Sequence, residues 1–182
     1  TWVDVQDAAT KLTVKENERI VTSAIALGTA ENIEHFSDIL GLMMLQNGTI
    51  LSKSLFDCAD VTSNTCSIEA LTFYVKFAEE PNNSWDATQD NSILAFDGGK
   101  TAMIIAPSWQ ALTIKAISPD LNFKTAPVPQ LPCYRIPCPS VNWASYWVEG
   151  VSVKSKNTSL AWEFLKYLSS ADTMQKLYAE QV

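Results

Sequence analysis

The chain has 182 residues, 47% of them hydrophobic and 18% charged, so it carries enough apolar side chain for one or two compact cores and is not a disordered segment. Its formal charge of -7 argues against nucleic acid or an anionic membrane as partner, because both reward clustered lysine and arginine. No stretch reaches the ~20 apolar residues of a membrane span, and Thr1 begins with a helix signal rather than a basic and then apolar leader, which leaves open a secretion signal upstream.

Thr1 with Asp4 reads as a capping box, and Val5, Ala8, Ala9 and Leu12 recur at helical spacing, which predicts an amphipathic helix over 2–13. Residues 20–28 read as a strand ended by Gly28. Thr29-Ala30-Glu31-Asn32 then opens a helix with Ile33, Phe36, Leu40 and Met43 on one face, stopping at Asn47-Gly48. Beyond a polar cysteine loop, Ser67 is expected to cap a helix whose Ile68, Leu71, Val75 and Ala78 point one way. Residues 81–92 are turn-rich and lead to a short helix carrying Ile93, Leu94 and Phe96.

The stretch from Phe96 to Trp109 is the most informative. Its unbroken run Ala102-Met103-Ile104-Ile105-Ala106 predicts a strand over 101–106 buried on both faces, and Pro107-Ser108 stops it. Trp109 therefore arrives at the edge of an α/β sheet where ligands bind. Gly99-Lys100-Thr101 imitates the tail of a phosphate-binding loop. The required earlier glycine is replaced by Leu94, however, and a strand rather than a helix follows, so nucleotide binding is set aside.

A helical segment runs through Leu112 and Ile117 to Pro119, residues 123–129 are extended, and 130–142 form an irregular insertion. A strand is expected over 146–153. Asn157-Thr158-Ser159 then begins a helix burying Ala161, Phe164, Leu165 and Leu168, and a last short helix carries Met174, Leu177 and Tyr178.

The four cysteines fall into two close pairs, Cys58 with Cys66 and Cys133 with Cys138, each in a turn-rich loop. Two local disulfides, and with them a compartment outside the cytoplasm, are one reading; four reduced thiols are the other. A zinc site lacks CxxC spacing and a nearby histidine, so no metal or cofactor is expected. Catalysis has little to stand on, with one histidine and no nucleophile, metal or dinucleotide motif, and the chain is read as a non-enzyme. A carboxylate pair acting on a glycosidic bond is the residual enzyme alternative.

Several segments taken together resemble the bacterial extracytoplasmic solute-binding proteins, the sugar-type receptors of ABC importers that include maltose-binding protein. These are Thr1-Trp2-Val3-Asp4, Ile25-Ala26-Leu27-Gly28, Gln46-Asn47-Gly48, Phe96-x-x-Gly-Lys-x-Ala-Met103, Pro107-Ser108-Trp109, Ala126-Pro127-Val128-Pro129, Gly150-Val151-Ser152-Val153 and Ala161-Trp162-Glu163-Phe164-Leu165-Lys166-Tyr167-Leu168. The resemblance implies a periplasmic-binding-protein-like type II α/β lobe with a mixed sheet flanked by helices. It also implies a partial receptor, with residues 1–127 as the second lobe and 128–182 as a returning segment of the first.

Its expected place is extracytoplasmic, in the periplasm or lipid-anchored at the cell surface. The expected ligand is a sugar or oligosaccharide, with ABC permease subunits as membrane partners and self-association of the fragment. A surface adhesion or sensor module is the alternative use of the same fold.

Six tryptophans suit a sugar cleft, where aromatic faces stack on C–H surfaces and amides or carboxylates meet hydroxyls. By the resemblance Trp109 projects into that cleft; a ring packed over a helix end is the competing reading. Trp143, Tyr146 and Trp147 line either the hinge side of the cleft or a strand core. Glu31 and Asn32 stand where donors at a helix start meet ligand, although capping accounts for Asn32 as well. Trp85 is assigned to surface or lobe packing, Trp2 and Trp162 to helix-to-sheet packing, and His35 to a helix face.

Overall fold

The computed structural model describes residues 1–60, 62–132, 139–146 and 148–179, with the side chains of 178 and 179 excepted. The chain divides into two compact units, Thr1–Trp143 and Ala144–Val182.

The first unit opens with α1, Trp2–Leu12, whose capping box forms as expected: the Thr1 hydroxyl takes the Asp4 N–H, and the Asp4 side chain returns to the N-cap. Trp2 and Ala9 are buried on its inner side, and Trp2 meets Phe73 edge to face at 5.8 Å. Next comes a hairpin absent from the sequence reading, β1 (Val14–Glu16) turning into β2 (Arg19–Ile25). Asn17 and Glu18 supply the two left-handed residues, φ 49° and 66°, that a two-residue hairpin turn demands. The usual Asn-Gly signal is missing because a glutamate occupies the second place.

β2 then pairs in parallel with β3, Thr101–Met103, giving a three-stranded mixed sheet in the order β1-β2-β3. The register sets Ser23 against Thr101 and Ile25 against Met103. β3 is shorter than the predicted 101–106 and is not buried on both faces: Thr101 is buried, Ala102 exposed and Met103 between. It has β2 as its only strand neighbour among the described residues, which leaves its other side uncovered by sheet. The continuously buried run lies one strand over, at Ala24-Ile25-Ala26-Leu27, none more than 2% exposed.

Helices flank the sheet. α2, Phe36–Gln46, buries Ile39, Leu42, Met43 and Met44; it starts later than the Thr29–Asn32 opening expected of it, so residues 29–35 are an irregular loop. α3, Cys66–Val75, continues as a 3-10 turn over Lys76–Ala78. Its expected cap and face are both displaced. Thr65 is the N-cap, while Ser67 is buried with its hydroxyl on the Leu55 carbonyl and Thr49. The buried face is Cys66, Ser67, Ala70 and Tyr74, leaving Ile68 and Leu71 exposed. The disulfide Cys58–Cys66, which forms as expected, ties the start of α3 to the 48–58 loop, where Ser67 also bonds. A bridge closing so short a loop contributes about 2–3 kcal/mol in the loop-entropy account. The second expected pair, Cys133–Cys138, lies outside the described residues.

Trp85, assigned by sequence to surface or lobe packing, is fully buried and packs in the core with Ile25, Leu27 and Phe77. α4 (Ser92–Asp97) and α5 (Gln110–Ile117) bracket β3 in sequence. At Gly28, φ 107°, a Cβ would come within 2.7 Å of the Ala78 backbone nitrogen, so only glycine lets the end of α3 approach the strand end.

Residues 128–132 and 139–143 run without regular structure along this unit. Gln46 ties them down: its Oε1 accepts the Trp2 indole N–H at 2.6 Å, and its Nε2 donates to the carbonyls of Pro129 and Val141. Gln130 pairs with the Val141 backbone in both directions, closing the neck of the insertion.

The second unit holds α6 (Thr158–Leu168) and α7 (Ala171–Met174), followed by a π-helical turn over Gln175–Ala179. The strand expected over 146–153 is not formed by the described residues there, since a strand requires a neighbour to take its backbone bonds and none pairs with them. α6 buries no residue; Phe164 and Trp162, expected to be packed, are 56% and 55% exposed.

Candidate functional site

Two loops leave the C-terminal ends of the parallel strands β2 and β3 on the same edge of the sheet, residues 26–35 and 104–109. In an open α/β sheet that edge is where ligands bind. The loops meet: the His35 and Trp109 rings stand edge to face, centroids 6.0 Å apart at 79°. Trp109 occupies the N-cap of α5 and is 53% exposed, and its indole N–H has no acceptor among the described residues. An exposed aromatic face with a free donor can stack on a ring and hydrogen-bond its rim.

The facing loop is built to hold its shape. Asn32 accepts from the Thr29 hydroxyl at 2.5 Å and the Trp85 indole N–H at 2.9 Å, and donates to the carbonyls of Asp86 and Gln89. All four of its hydrogen-bonding places are thus used within the chain, tying 29–32 to 85–89. Tyr74 donates to the Thr29 carbonyl at 2.6 Å. Burial pushes its hydroxyl up to about 12, against a smaller opposing effect of the backbone at Gly28, so it stays a neutral donor at ordinary pH. Glu31 is exposed on the resulting loop. His35, at φ 60°, caps nothing with its side chain; its Nδ1 lies 3.4 Å from the Asp38 carboxylate.

The other sequence candidates are dispersed. Trp143 packs its ring over Gly41 of α2, where a Cβ would fall 2.7 Å from the ring, roughly 9 Å along the helix from His35. It remains 38% exposed. Tyr146, 81% exposed, belongs to the second unit, and Trp147 lies outside the described residues. The structure therefore joins Trp109 to the 29–35 loop and adds His35, which sequence assigned to a helix face. Its one available signal was its position immediately before α2. Two surface grooves, about 350 Å³ beside Asn17 and Arg19 and about 210 Å³ between Trp2, Gln46 and Phe73, lie away from this edge.

A mixed α/β lobe that presents an exposed aromatic beside polar loops at the C-terminal edge of parallel strands is the architecture of a small-molecule binder. The chain belongs to a family of that class: the family model described as bacterial extracellular solute-binding protein matches residues 1–181. Comparisons with curated proteins and with solved structures give no match. Family membership makes this an extracytoplasmic protein of solute transport, with a small-molecule ligand and transporter partners. No described helix is long and apolar enough to cross a membrane.

Proposed function

We propose that the chain is part of the receptor of an ABC importer and that its solute is a sugar or oligosaccharide, held in a cleft between two lobes that close by a hinge motion. In this reading residues 1–127 are the second lobe, and 128–182 return toward the first. Trp109 is the stacking ring, Glu31 stands on the opposing loop that Asn32 shapes, and Trp143, Tyr146 and Trp147 supply further aromatic surface. ABC permease subunits are the membrane partners.

The observation that carries the proposal is the half-exposed Trp109 at the sheet edge, its indole N–H without an acceptor among the described residues, next to a loop braced by Asn32 and Tyr74. A flat C–H sugar face fits such a ring, and hydroxyls fit the polar loop.

Calorimetric titration of the complete receptor with mono- and oligosaccharides, with amino acids and a short peptide as controls, tests the ligand class. Binding by sugars alone is expected, and Trp109→Ala is expected to weaken it by about 1–3 kcal/mol without loss of fold. Unchanged affinity in that variant, or binding by the controls alone, refutes the assignment.

A further inference from the structure

His35 is held in a conformation that needs a reason. Its φ of 60° and ψ of 24° are left-handed, uncommon outside glycine and maintained only where surrounding contacts impose them. The first turns of α1 and α2 make the contrast. In α1 the third residue, Asp4, turns back to Thr1 and closes a capping box. In α2 the equivalent Asp38 carboxylate faces the His35 imidazole at 3.4 Å, and His35 gives α2 no side-chain cap. The His35 carbonyl meanwhile accepts from the N–H groups of Asp38 and Ile39 at 2.9 and 3.0 Å, which fixes the backbone. The imidazole is thereby committed to the other loop, where it meets Trp109.

Trp109 needs such a support. Its ring is half-exposed and makes no hydrogen bond of its own among the described residues. We propose that His35, backed by Asp38, is a positioning residue that holds the Trp109 ring in the orientation a solute meets. This rests on Trp109 being the ligand-stacking ring.

The groups around the imidazole define how it is held. From α2 comes the Asp38 carboxylate. On the same loop Glu34 is held by the Asn91 amide at 3.3 Å, and Glu31 is exposed. The 104–109 loop brings Trp109 and no titratable side chain. The imidazole thus stands between the Asp38 carboxylate on one side and the Trp109 ring on the other.

The test reads Trp109 itself in the 182-residue chain. The emission difference between the chain and its Trp109→Phe variant isolates this tryptophan from the other five. Because contact with an imidazole alters indole emission, that difference is expected to change roughly twofold in His35→Asn, which tolerates the left-handed backbone, and by less in Asp38→Asn, which keeps the imidazole. A 5-fluorotryptophan resonance of Trp109 should shift in His35→Asn by more than in Asp38→Asn. Trp109 emission and resonance unchanged in His35→Asn overturn the proposal. These readouts need no ligand, so a receptor in which His35→Asn moves both signals yet which ignores sugars sinks the sugar assignment and leaves the positioning role standing.

Discussion

Asn32 illustrates how one polar side chain can decide a local structure. Its amide satisfies the indole N–H of Trp85, a residue with no solvent exposure, and pins two carbonyls of the 85–89 segment. Removing it strands a buried donor, and the cost of an unmade bond exceeds the net value of a made one. Asn32→Ala is therefore expected to destabilise the chain by about 2–4 kcal/mol in urea unfolding, mostly through Trp85. A change below 0.5 kcal/mol, on the order of an ordinary surface substitution, would show that Trp85 finds another acceptor. Sequence placed Asn32 in the right loop, but it could not show that the partner was a tryptophan more than fifty residues away. For the same reason sequence left Trp85 between surface and lobe packing: no periodicity marks a ring in a turn-rich loop, and the structure seats it in the core with its N–H on Asn32.

Elements governed by local signals were legible, and those governed by long-range pairing were not. The capping box of α1, the stop of α2 at Asn47-Gly48 and the turn before α5 follow from residues within a few positions of each other, although α2 buries Ile39, Leu42 and Met44 beside Met43 and leaves the expected Phe36 and Leu40 only partly buried. The face of α3 does not: it buries Cys66, Ser67, Ala70 and Tyr74, with its start held to the 48–58 loop by the Cys58–Cys66 bridge and by Ser67, and not the side its aliphatic residues suggest. The hairpin β1-β2 was hidden by its turn. Asn17-Glu18 adopts the geometry of a tight hairpin with a glutamate at φ 66°, where an L-residue is strained by about 1–2 kcal/mol. Glu18→Gly relieves that strain and gives back part of it as backbone freedom in the unfolded chain. The net expectation is a gain of about 0.5–1 kcal/mol, read as a higher urea midpoint at unchanged slope. A loss of stability would mean that the Glu18 side chain contributes more than its backbone costs.

At the scale of the whole molecule, the two units differ in how they satisfy their apolar residues. Thr1–Trp143 encloses a core around Ile25, Leu27 and Trp85, whereas α6 of the second unit buries nothing and leaves Leu160, Trp162, Phe164 and Tyr167 each more than half exposed. With Val148 and Val153, at 85% and 97%, these side chains offer on the order of 600 Å² of apolar surface, close to the ~800 Å² that each partner contributes to a standard interface. Soluble proteins rarely leave such a surface open, and a second copy of the same segment is a self-complementary way to cover it. The 182-residue chain on its own is therefore expected to associate. Its sedimentation coefficient should rise with concentration, and Trp162→Glu combined with Phe164→Lys should return it to the monomer while leaving the unfolding of the first unit unchanged. A chain that sediments as a monomer at every concentration, with Trp162 inaccessible to acrylamide, would mean that this surface is covered within one molecule.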